Sequence, residues 1–73
     1  MTQKELLYLE DAIGHEKSII DICSQTLNYL EDDNLKSFMR QEIEQHKKEQ
    51  ANLFNLLEVK VNEWSNVDGK LFA

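Results

Sequence analysis

The sequence predicts an all-α fold: a two-helix antiparallel hairpin that dimerises into a four-helix bundle. Three observations carry this. Leu, Ile, Glu, Lys and Gln dominate and proline is absent, a composition that suits helices. Two long stretches repeat apolar residues at helical spacing, while no alternating run of β-branched or aromatic residues marks a strand. A short turn, Glu31-Asp32-Asp33-Asn34, separates them, and so short a link makes its helices antiparallel neighbours. The expected layout is one hairpin over residues 1–65 and an irregular tail over 66–73. Helix 1 spans about 3–31 and helix 2 about 34–64.

Helix 1 has a capping-box start, with Thr2 as N-cap and Glu5 three residues on. A heptad follows. Leu6, Ile13, Ile20 and Leu27 hold one seam position; Leu9, Glu16, Cys23 and Leu30 hold the other. Ala12 and Ile19 widen the stripe. Gly14 lies off the seam, where it either allows a close backbone approach or is tolerated at a cost of about 1 kcal/mol.

Asp33 or Asn34 is suited to cap helix 2. The stripe of that helix reads Leu35, Met39, Glu42, His46, Glu49, Leu53, Leu56, flanked by Phe38, Ile43, Phe54, Leu57 and Val61. Glu44 and Lys48 form an outward i,i+4 pair. Trp64 is placed to close the bundle end. In the tail SNVDGKLFA, Val67, Leu71 and Phe72 are candidate anchors.

A chain of 73 residues buries too little surface for a secure single core. Small folds add disulfides, a metal or a partner. Cys23 is the only cysteine, so no internal disulfide forms; its use as a small buried hydrophobe suits a reducing compartment. The stripes are wider than one helix pair can cover, which calls for a second copy.

The net charge of −6 argues against nucleic-acid binding, because phosphate backbones repel an acidic chain. No apolar run approaches the ~18 residues of a membrane span, and the first residues lack a signal-peptide layout. The expected location is therefore cytoplasmic. No nucleophile with its base, no Gly-rich phosphate loop and no paired-cysteine motif is present, so no catalytic residue is assigned.

Four ionisable residues interrupt the seams: Glu16, Glu42, His46 and Glu49. In an antiparallel hairpin turning at 32–33, position 16 faces roughly position 49. Charges in a core are costly unless paired or metal-bound. Carboxylates and an imidazole from neighbouring helices are the ligand types of a bundle metal site, which would take iron or another divalent transition metal. The alternative is structural. Glu16 pairs with His46 or with Lys47 and fixes register, while Glu42 and Glu49 lean to the wet edge of the stripe. His15 is read as a solvated surface residue.

The run LNYLEDDNLKSFMRQEIEQHKKEQANLFNLL over 27–57 resembles the helix–turn–helix unit of the ferritin-like superfamily. There one helix gives a Glu, the next gives Glu-x-x-His, and two hairpins hold two metals. That resemblance implies Glu16 as the first carboxylate and His46 as the histidine. Ile43 stands where the second Glu would be, with Glu42 one residue away and Glu49 three residues after His46. Three further features are closer to spore coat proteins of the Coat F type: LEDAIGHEKSII, LKSFMRQEIEQHKKEQANLFNLL and the VNEW ending. This second resemblance implies a structural or interaction protein of the spore coat, partnered by its own copy and by other coat proteins.

Overall fold

The computed structural model describes the backbone of residues 2–72 and the side-chain environment of residues 2–63. Two helices make up the hairpin: α1, Gln3–Leu27, and α2, Asp33–Phe72. They pack side by side into a slab of 60 × 16 × 13 Å, one helix layer thick.

The start of α1 follows the sequence. Glu5 N–H donates to Thr2 Oγ1 at 3.0 Å, and Thr2 N–H donates to Glu5 Oε1 at 3.1 Å, which closes the capping box. The helix ends at Leu27, four residues before the expected limit of 31. Asn28, Tyr29 and Leu30 each donate to a carbonyl three residues back, so the last turn tightens. Asn and Tyr propagate a helix poorly, and this tightening satisfies carbonyls that the α pattern would leave open.

Asp32 caps α2, in place of the expected Asp33 or Asn34. Its Oδ1 accepts from Leu35 N–H at 2.9 Å, and its carbonyl accepts from Lys36 N–H at 3.0 Å. The backbone of α2 continues to Phe72, through the residues 66–72 read from sequence as an irregular tail. With no proline to stop it, Gly69 alone imposes only about 1 kcal/mol on a helix already under way. The side chains of Trp64, Val67, Leu71 and Phe72 lie outside those described.

Both expected seams of α1 face α2. Leu6, Leu9, Ile13, Ile20, Cys23, Leu27 and Leu30 are all half-buried, as are Ala12 and Ile19. On α2 the seam is rotated slightly from the expected one. Met39, His46 and Leu53 are half-buried and Ile43 and Leu57 turn inward, but Leu35 and Leu56 are exposed, as are Phe38, Phe54 and Val61. A straight helix has 3.6 residues per turn, so a stripe written at 3.5 drifts sideways along its length. Among the described residues only Ile43, at 8% exposure, is buried. Gly14 is on the outer surface of α1, and a methyl group there would meet nothing within 4 Å. Of the two roles considered for it, no close approach is seen. Outside the seam, Glu44 pairs with Lys47 at 3.9 Å and not with the expected Lys48.

Candidate functional site: a histidine–carboxylate belt

Glu16 stands between Leu9 and Cys23 on a seam of α1, seven residues from each. His46 stands likewise between Met39 and Leu53 on α2. Heptad spacing therefore points both side chains into the helix–helix junction, where their neighbours are apolar. Their side chains are only 15% and 21% exposed. Two half-buried polar groups at one height must satisfy each other, and they do: His46 Nδ1 lies 2.5 Å from Glu16 Oε2.

Glu49 and Glu42 approach the same ring from its own helix. Glu49 Oε2 is 3.4 Å from Nδ1, three residues along the helix, and Glu42 Oε2 is 3.7 Å from Nε2, four residues back. Gln45 Nε2 donates to Glu49 Oε1 at 3.4 Å and helps aim that carboxylate. The four expected residues thus share one belt but not one point. Glu16 and Glu49 gather at the Nδ1 edge of the ring, and Glu42 sits at the Nε2 edge. Lys47, the other partner considered for Glu16, is engaged with Glu44.

The hydrogen bond to Glu16 raises the pKa of His46 above its ordinary value. Partial burial works against this, and the negative charges of Glu16, Glu49 and Glu42 add to it. These contacts favour the imidazolium over the neutral ring, with Nδ1 turned to Glu16. One ring then faces three carboxylates.

One ligand atom each from Glu16, His46 and Glu49 falls within a 4.8 Å group. The oxygen and nitrogen donors suit a divalent transition metal, and three protein ligands leave coordination positions open. To take a metal there, His46 must release its Nδ1 proton, so proton and metal compete for the site.

A shallow groove borders the belt on one side of the hairpin, and a second adjoins it. Ala12, Glu16, Glu49, Asn52, Leu53 and Leu56 line one. Glu5, Tyr8, Leu9, Leu56 and Lys60 line the next toward the open end. Cys23 is half-buried in the seam and His15 is exposed, as expected of each. Gln45 and Tyr8 were not among the sequence candidates. The i,i+4 spacing of Gln45 and Glu49, and the seven-residue multiples linking Tyr8, Ile22 and Tyr29, were the available signals. Compared with protein families, curated proteins and solved structures, the chain has no match.

Proposed function

We propose that this chain is a structural, interaction-type protein that pairs with a second copy into a ferritin-like four-helix bundle. The observation that carries the reading is the mismatch between core and surface. One residue is buried among those described, while ten large hydrophobic side chains stand exposed, from Leu7 to Val61. A hairpin one layer thick cannot cover both flanks of its own stripe, and a second hairpin can. Sedimentation equilibrium at micromolar concentration tests it: the expected species has twice the 8.6 kDa chain mass. A well-folded monomer would remove the reading.

The resemblance to Coat F proteins gives such a bundle a place, the spore coat, with other coat proteins as further partners. In a spore-forming host, the tagged protein is expected in the coat fraction of purified spores. Retention in the mother-cell cytoplasm would rule out the coat location. Among the described residues no helix is long and apolar enough to cross a membrane.

A second reading rests on a separate observation, the gathering of Glu16, His46 and Glu49 ligand atoms. In this reading the belt holds iron or another divalent transition metal, with Glu42 as a further ligand after small side-chain movement. Ferrous titration of the purified chain, followed by elemental analysis, is expected to give a stoichiometry that His46→Gln abolishes. Sub-stoichiometric uptake, unchanged by that substitution, would eliminate it.

A further inference from the structure

The exposed apolar side chains are not scattered. Tyr8, Ile22 and Tyr29 recur at multiples of seven and, with the exposed His15 between Tyr8 and Ile22, form one row of α1, bordering the row of Ala12, Ile19 and Thr26. On α2, Leu35, Glu42, Glu49 and Leu56 form one row, and Phe38, Gln45, Asn52 and Val59 the next. The groove that joins Ala12 and Glu16 to Glu49, Asn52 and Leu56 puts these rows on the same side of the hairpin. Tyr8 and Leu56 meet in the adjoining groove, which confirms the pairing of sides. The opposite side is different. Its α1 row is Glu10, Lys17 and Ser24, and its exposed apolar residues are Leu7 of α1, in the row bordering that one, and Phe54 and Val61 of α2.

We propose that the second copy docks on the side carrying Tyr8, Ile22, Tyr29, Leu35, Phe38 and Leu56, and that one belt then lies against the other.

This rests on the self-association reading and names its surface. The occupant is argued from the layout along the face. Apolar residues fill the loop end (Ile22, Tyr29, Leu35, Phe38) and the open end (Tyr8, Leu56, Val59), with the charged belt between them. A surface with that order is complementary to itself under a two-fold axis. Glu16 is close to the midpoint of α1, Gln3–Leu27, so an axis that maximises overlap passes through the belt. An axis running along the bundle also sets belts at equal height. The available area is adequate: α1 is about 38 Å long and the slab 16 Å wide. That gives on the order of 600 Å² of flat footprint, close to the ~800 Å² per partner of a standard interface once side-chain relief is counted. A lipid surface does not fit, because the face carries three carboxylates at its centre.

Each belt holds Glu16 from α1 and Glu42 and Glu49 from α2 around His46. Two belts in contact set six carboxylates against two imidazoles, so removing one carboxylate charge from each belt lessens the repulsion between the copies.

Sedimentation equilibrium of the full chain tests this, with Ile22→Glu, Phe54→Glu, Glu49→Gln and Glu10→Gln beside the native sequence. Ile22→Glu, on the docking side, gives monomer, while Phe54→Glu leaves the dimer. Glu49→Gln tightens association, whereas Glu10→Gln, which removes the same charge from the other side, does not. A gain in affinity cannot come from misfolding, so Glu49→Gln separates a belt effect from a damaged chain. A dimer broken by Phe54→Glu but not by Ile22→Glu overturns the face. A dimer indifferent to Glu49→Gln overturns the belt contact. Either result leaves self-association standing, whereas a native chain monomeric throughout overturns both readings.

Discussion

His46 occupies a seam position that Met39 and Leu53 fill with apolar side chains seven residues to either side. Its hydrogen bond to Glu16 at 2.5 Å crosses between the helices and ties α1 to α2 at mid-height. A histidine whose pKa is raised on folding gives a stability contribution that is fully present below the unfolded value of about 6.5. That contribution is lost as pH rises through the folded value. The melting temperature is therefore expected to fall as pH rises from about 6.5 into the alkaline range. His46→Gln should flatten this slope, read by circular dichroism at fixed protein concentration. An identical slope in the variant would place the titration elsewhere. The Glu16–His46 pair was legible in the sequence, because both residues break a heptad at facing heights. The division of the carboxylates between the two ring edges was not. It depends on how the imidazole turns about its own side-chain bonds, which residue spacing does not specify.

At the scale of the element, the sequence was most informative where one residue type had one position to fill. Thr2 and Glu5 made a capping box that the structure reproduces. The turn was harder, since Asp32, Asp33 and Asn34 are all competent caps and only the path of the backbone selects among them. The hydrogen bond from Leu35 N–H selects Asp32. Asp32→Ala is expected to lower stability by about 1 kcal/mol, and Asn34→Ala by a few tenths, in urea denaturation at one protein concentration. Equal losses would mean that the cap is shared. Gly14 gives the opposite sign. A methyl group there meets nothing, and the Ser18 hydroxyl bond to the Gly14 carbonyl survives the change. Gly14→Ala is expected to stabilise by about 1 kcal/mol, the difference in helix propensity. Any loss on that substitution would show that a partner covers this surface. The end of α2 was misjudged from sequence because turn-forming residues at 65–69 were read as a stop, although no proline enforces one.

For the whole molecule, the slab shape sets the terms. A hairpin 13 Å thick has no interior in which to hide its second stripe, so its folding and its association are one problem. If pairing supplies the missing core, stability grows with protein concentration, by about 1.4 kcal/mol for each tenfold rise. The melting temperature is accordingly expected to climb from micromolar to near-millimolar protein. A flat profile would mean that the hairpin stands alone. Two substitutions separate intrinsic from associative stability. Gly14→Ala acts within one helix, on its outer surface, and should raise the whole profile without changing its steepness. Ile22→Glu alters a side chain that is 63% exposed in the hairpin, so it removes little from the single chain and should level the profile instead. If Ile22→Glu lowered every point equally and kept the steepness, its side chain would belong to the hairpin's own packing, and the docking face would have to be sought elsewhere.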